Sequence, residues 1–272
     1  MQHQIVKEPK HKNLVFSSVG DNTNFNYLWT KKYRNYDLWV VYYGDNKEKC
    51  EDYKKSVDFI EKRKGSKFQN LYHIFKKYNR EIMKYERFFI LDDDIIISTS
   101  DINKMFDVSK KYKLWICQPS FAPGSKISWQ HTKNVRNAIL RYTNFIEVNA
   151  PLYTRWAICR LMNFYDERLI GWGVDYLSVW SAGHMYKNTY AVIHIVKCVN
   201  PQDTEKPENK RELSKLKDWD KREQDWLEVK KKLRMRNYDR NTVILANEPW
   251  HKHHSFNTYK TVWINNHRPR RA

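Results

Sequence analysis

The sequence predicts an α/β domain with a mixed, mostly parallel central sheet, and three observations predict it. Short β-rich runs alternate with helical patterns between residues 12 and 201, the order that places helices on the faces of a parallel sheet. Acidic turns fall at the ends of these runs: Gly20-Asp21, Gly44-Asp45 and Asp92-Asp93-Asp94. In such sheets ligands bind beyond the carboxyl ends of the strands. Hydrophobic residues make up 41% of the chain, with 11 Trp, 18 Tyr and 12 Phe, so a sizeable core can form.

In chain order, Asn13 to Val19 reads as a first strand and Leu38 to Tyr43 as a second. A polar helix is expected over Lys47 to Lys62. An amphipathic one follows over Ser66 to Lys84, where Phe68, Leu71, Phe75, Tyr78 and Ile82 recur at three- and four-residue spacing. Phe88 to Leu91 is the strand that delivers the aspartate triplet. Asp101 is placed to N-cap a helix carrying Ile102, Met105, Phe106 and Val108. Strands are expected at Lys113 to Cys117, stopped by Pro119, at Phe145 to Val148 and at Tyr190 to Val196, with a helix over Arg155 to Phe164. Beyond Pro201 the chain is intensely charged. Leu213, Leu216, Trp219, Trp226 and Leu233 form a thin apolar stripe along a long amphipathic helix over Glu205 to Arg236, and a basic aromatic tail follows. The expected division is a catalytic domain over 12–201 and a helical, basic extension over 202–272.

Composition narrows the function. Lys plus Arg number 50 against 31 Asp plus Glu, a balance of +19 that favours polyanionic partners, although scattered lysines also simply solubilise a surface. The four cysteines are far apart and make no zinc spacing, which suits a reducing compartment. The start of the chain opens no signal peptide, and no apolar stretch approaches the roughly 20 residues of a spanning helix, so a soluble, cytoplasmic protein is expected. The phosphate loop GxxxxGK[ST], the dinucleotide fingerprint GxGxxG and the serine-hydrolase elbow GxSxG are all absent.

Four constellations carry chemistry. Three adjacent carboxylates after four large apolar residues repel one another unless a cation gathers them; on an extended strand Asp92 and Asp94 face one side and Asp93 the other. Hard oxygen ligands suit Mg²⁺ or Mn²⁺. In Gly171-Trp172-Gly173-Val174-Asp175 the glycines allow close approach of a ligand, the indole can stack on a sugar, and Asp175 at a helix start can take a proton from a hydroxyl. His194, in the apolar run Val192 to Val196, reads as a core histidine or as a third ligand for the ion. Lys64-Gly65-Ser66-Lys67 precedes a helix whose N-terminal N–H groups attract phosphate, or is a helix start with surface lysines. The cluster His251, His253 and His254 reads as part of a basic tail.

In order along the chain, these residues resemble the GT-A fold (Rossmann-like) of nucleotide-sugar glycosyltransferases. The resemblance places Ser18, Gly20, Asp21 and Asp45 against the nucleotide and reads Asp92-Asp93-Asp94 as a DxD motif. It also likens Gly171 to Asp175 to the GWGxED-type segment of inverting galactosyltransferases, although one acidic residue stands where that segment often has two. The segments Lys64–Lys67, Gln118-Pro119, Phe145–Pro151, Gly171–Asp175 and Ile193-His194 are similar to those of a plant and algal family of glycosyltransferases, and large algal viruses encode soluble enzymes of this kind. The resemblance implies a Mn²⁺ or Mg²⁺ ion held by Asp92, Asp94 and His194 on the diphosphate of a UDP-sugar, with Lys64 and Lys67 near the phosphates and Asp92 or Asp93 at the donor. Asp175 would be the base of an inverting transfer to a glycan or glycoprotein hydroxyl, with Trp129, His131, Glu147 and Trp172 lining the sugar and acceptor side. No nucleic-acid partner is expected on this reading. A rival from the residues alone is a metal-dependent nuclease or phosphotransferase, because clustered carboxylates also build two-metal sites and the basic tail suits nucleic acid.

Overall fold

A computed structural model describes residues 8–184, 188–202, 216, 218–237 and 261–263. In chain order the described elements are β1 (Asn13–Val19), α1 (Phe25–Leu28), β2 (Asp37–Tyr42), α2 (Lys47–Lys54), β3 (Phe59–Lys62), α3 (Lys67–Lys77), α4 (Asn79–Ile82), β4 (Arg87–Asp92), α5 (Thr99–Lys111) and β5 (Ile116–Phe121). They continue with a 3-10 turn (Gln130–Thr132), β6 (Ala138–Tyr142), β7 (Leu152–Thr154), α6 (Arg155–Phe164), α7 (Val174–Ser181), β8 (Tyr190–Cys198), a second 3-10 turn (Trp219–Lys221), α8 (Arg222–Lys232) and β9 (Thr261–Trp263).

These strands form one sheet of order β3-β2-β1-β4-β7-β5-β8-β6-β9. The half from β3 to β4 is wholly parallel. Strand β7 runs against both β4 and β5, β8 runs with β5, and β6 runs against β8 and β9. Only β6 and β7 are therefore reversed, and the mixed, mostly parallel sheet expected from the sequence is what the chain forms. Alternation along the central strands divides the core in two. Val15, Leu38, Val40, Phe89 and Leu91 face α5, whereas Leu14, Phe16, Trp39, Val41, Phe88 and Ile90 face α3, α6 and α7. Trp226, Val229 and Met235, on and just beyond α8, belong to the second of these cores.

Several boundaries differ from expectation for identifiable reasons. The helix expected over 47–62 stops at Lys54 and the chain turns into β3. The Asp58 carboxylate fixes that turn: it accepts from Leu38 N and from the Arg34 guanidinium, which returns the chain to the foot of β2. The helix over 66–84 is two helices, because Tyr78 (φ −120°, ψ 40°) leaves helical geometry. Ser66 opens the first with a capping box to Gln69. Ser98, not Asp101, caps α5; Asp101 sits three residues in and accepts from the Ser98 hydroxyl.

Pro119 lies inside β5 rather than ending it. Pairing with β7 stops at Cys117, and the register with β8 slips between Pro119 and Ser120, so no ladder bond needs the missing N–H. Phe145 to Val148 is a buried loop, not a strand; β6 and β7 flank it. Of the long helix expected over 205–236, residues 222–232 are helical, Asp218 (φ 66°) breaks the approach to it, and 203–215 lie outside the described residues, as do His251, His253 and His254. No described helix is long and apolar enough to cross a membrane.

Candidate functional site

The carboxyl ends of β1, β2 and β4 meet at the aspartate triplet. Strand β4 ends at Asp92 and the chain turns at Asp93 and Asp94, so strand alternation does not carry through the triplet as expected. The turn is held from behind: Asn24 N and Thr23 Oγ1 donate to Asp93 O at 3.0 and 2.9 Å, and Asn24 Nδ2 donates to Asp94 O at 3.0 Å. The Asp93 side chain is a structural hub. Its Oδ2 accepts from Gly20 N at 2.8 Å and from Tyr43 Oη at 3.1 Å, tying the loops after β1 and β2 to the end of β4. Burial and the neighbouring charges of Asp94 and Asp92 push its carboxyl up to about 8, against the pull of those two donors. Gly20 must be glycine here, because a Cβ would lie 2.7 Å from the Tyr43 ring.

Asp92 faces Lys67. The buried Lys67 ammonium lies 2.7 Å from Asp92 Oδ1 and donates to the carbonyls of Val148 and Asn149. An ammonium has three N–H bonds. All three are used on protein atoms, so Lys67, expected near the phosphates, is a fixed charge that orients Asp92. Lys64 behaves differently: it is exposed at the rim and pairs with Asp45 at 2.9 Å. Asp21 accepts from Tyr42 Oη and from the N–H groups of Asp45 and Asn46, which overcome its burial and hold its carboxyl below the usual range. Both its oxygens are thus engaged in closing the β1 loop onto the β2 loop. Ser18 is buried, paired in register with Asp92, and its Oγ accepts from Asn70 Nδ2 at 2.9 Å.

His194 is not brought to the triplet as a ligand. Its Nδ1 accepts from Val135 N at 3.2 Å, which leaves the proton of the neutral ring on Nε2 and no lone pair there for a cation. Nε2 is buried without a hydrogen-bond partner. Burial and the nearby Arg141 hold the ring neutral, its pKa pushed down to about 3. Among the described residues no three His, Cys, Asp or Glu form a group that could hold a metal. The Asp92–Asp94 turn therefore fits a divalent ion only in the form that needs one or two carboxylates and takes its other ligands from substrate phosphates and water.

A second wall lies on the far side of Asn149. Asn149 O accepts from Asp92 N at 2.9 Å, while its Nδ2 donates to Glu147 Oε2 at 3.3 Å. The negative charge of Asp175 acts on Glu147. Hydrogen bonds thus run from the triplet through Asn149 to Glu147, and the field of Asp175, in the first turn of α7, reaches that carboxyl. His131 Nε2 donates to Phe145 O at 3.3 Å, and burial with nearby Arg141 holds its pKa below the usual value. Phe145 meets Trp129, His131 and Tyr176 edge-on at 5.4, 5.8 and 5.3 Å.

The C-terminal helix braces this wall. Trp226 of α8 stacks on Tyr176 at 6.1 Å and fills the space a Cβ at Gly173 would need, the nearest indole atom being 2.1 Å from that position. Gly173 also holds the left-handed N-cap of α7 at φ 81°. Arg168 pairs with Glu228 at 2.7 Å, and the Arg222 guanidinium sits over both Trp172 and Trp219, with Trp172 51% exposed. Tyr43, Asn149, Thr132 and Trp226 escaped the sequence reading. Only Trp226 left a signal there, as one position of the apolar stripe.

The fold matches solved structures. The chain is similar to S. aureus TarS 1-349, with a TM-score of 0.53 and 9% identity over 71% of this chain and 60% of that one. It is also similar to S. aureus TarS 1-349 in complex with UDP-GlcNAc, with a TM-score of 0.51 and 12% identity over 80% of this chain and 64% of that one. The chain shares the mixed, mostly parallel α/β fold of these neighbours. The chain matches less than two thirds of the length of these neighbours. They support the fold expected from the sequence and not the plant and algal family or the algal viral enzymes. No family model matches the chain, and no curated protein matches it.

Proposed function

We propose that the protein is a divalent-metal-dependent glycosyltransferase that moves the sugar of a UDP-sugar to a hydroxyl of a glycan or glycoprotein acceptor, with inversion at the anomeric carbon. The observation that supports this reading is the series of hydrogen bonds from Asp92 through Asn149 to Glu147, on which the charge of Asp175 acts; the donor would lie at the Asp92 end and the acceptor at the Asp175 end. The neighbour's complex with UDP-GlcNAc favours a UDP-sugar at the donor end.

Asp94, with Asp92 beside it, would hold the ion, which when bound neutralises charge on the departing diphosphate. Lys67 orients Asp92, which would then meet the ion or the ribose. Asp45 and Lys64 stand at the outer rim, where the base and phosphates would pass. Asp175 accepts the proton of the attacking hydroxyl. Trp172 and Trp129 offer ring faces to the sugars. A two-metal nuclease would need ligand groups for both ions, which the described residues do not assemble.

Calorimetry tests the donor end. UDP should bind more tightly with Mn²⁺ than with chelator, and Asp94→Asn should abolish that difference. Losing one charge-assisted contact weakens binding on the order of tenfold or more. Metal-independent binding of UDP to the unaltered protein would end the metal assignment.

A further inference from the structure

Glu147 competes with a backbone carbonyl for the single hydrogen of one hydroxyl. Thr132 Oγ1 lies 2.7 Å from Trp129 O and 3.0 Å from Glu147 Oε1. A threonine hydroxyl carries one hydrogen. A carbonyl can only accept, so the shorter contact takes that hydrogen. The contact to Glu147 is then satisfied only if Glu147 donates. Its remaining acceptor capacity meets Asn149 Nδ2 and the N–H of Trp129. The side chain is buried, 4% exposed, in a loop whose Glu147 N donates to Gln118 Oε1 at 2.6 Å. The titratable groups around it are Asp175 from α7 and Cys198 from β8, with His131 beside Thr132.

We infer that Glu147 stands in the acceptor wall as a neutral carboxylic acid, donating to Thr132 and so leaving the proton of the acceptor to Asp175. This rests on the glycosyltransferase reading for its consequence, not for its geometry. Glu147 is a positioning residue: its O–H joins the Trp129–Thr132 segment to the Phe145–Asn149 loop, and its neutrality spares Asp175 a second charge. Burial, with the Asp175 charge, pushes the Glu147 carboxyl up to about 8. Ionisation therefore breaks the Thr132 contact and places a second anion beside the base. Transfer should fall as pH rises past about 8.

Two measurements on Glu147→Gln and the unaltered chain test this. Glutamine keeps a neutral donor and an acceptor. Whatever the level of transfer by the variant at pH 7, the alkaline fall seen in the unaltered enzyme should disappear in Glu147→Gln. An alkaline limb that persists unmoved in the variant overturns the inference. The second measurement needs no substrate. A carboxyl whose native pKa lies above its unfolded value binds an extra proton in the native state, so stability falls as pH rises from about 4.5 to about 8. The melting temperature of the unaltered protein should drop relative to Glu147→Gln across that window. A constant gap overturns the inference, and should the variant not fold, so does the lack of a glutamate carboxyl titrating near pH 8 in ¹³C spectra of the unaltered protein. A pH-dependent gap with no transfer from any UDP-sugar would leave the neutral acid standing and remove the glycosyltransferase reading instead.

Discussion

Asp175→Asn should lower sugar transfer by about 10²- to 10⁴-fold, the usual contribution of a positioned general base, and leave UDP affinity in the presence of Mn²⁺ unchanged. The split follows from the layout. Asp175 sits in the first turn of α7, where its Oδ1 also accepts from Tyr176 N at 2.9 Å. The aspartate turn where UDP would bind is built by β1, β2 and β4, and Asn149 and Glu147 stand between it and Asp175. Asparagine preserves shape and can still accept from Tyr176 N, but cannot take a proton. The measurement pairs a transfer assay with calorimetry on UDP. Full turnover by the variant would remove Asp175 as base and make a retaining reaction the better account. The same substitution removes the charge that helps keep Glu147 protonated, so its carboxyl pKa should move down toward the ordinary value.

Gly173→Ala should be the most damaging single methyl in the chain. The left-handed backbone costs an L-residue about 1–2 kcal/mol. The new Cβ would also fall 2.1 Å from the Trp226 indole, which would have to leave its seat between Gly173 and Tyr176. Emptying a buried tryptophan site costs on the order of 3–5 kcal/mol. Urea unfolding of Gly173→Ala, Trp226→Ala and the double variant separates the two terms. In the Trp226→Ala background the alanine should cost only the backbone part, because contacting residues are not additive. Equal costs in both backgrounds would show that the indole does not press on Gly173. Trp226→Phe should restore part of the stability, and transfer should track it because α7 carries Asp175.

Much of this was legible in sequence, for reasons that differ by residue. The buried runs of β1, β2 and β4 announced themselves because strands covered on both faces are continuous apolar stretches. The acidic and glycine turns marked the strand ends because few other structural reasons exist for Gly20, Gly44 or three adjacent aspartates. Contacts set by distant residues were not legible. Strand β3 was hidden in a polar helix pattern because Asp58 is anchored by Leu38 N and Arg34, some twenty residues away in sequence. Lys67 looked like a free phosphate ligand until the carbonyls of Val148 and Asn149 claimed it. His194 looked like a ligand until Val135 N fixed its tautomer. The buried loop at 145–148 reads as a strand locally; its hydrogen bonds go to side chains such as Gln118 instead of a neighbouring strand.

Ring contacts follow one another from Trp226 of α8 through Tyr176 and Phe145 to Trp129. If Trp129 lines the acceptor site, order imposed at one end of this series should be felt at the other. An acceptor that settles the Trp129 wall should slow amide hydrogen exchange in α8. By thermodynamic reciprocity, whatever settles α8 from outside should tighten acceptor binding by the same factor. The helix that lies beyond the expected catalytic boundary would then serve as a remote handle on substrate choice.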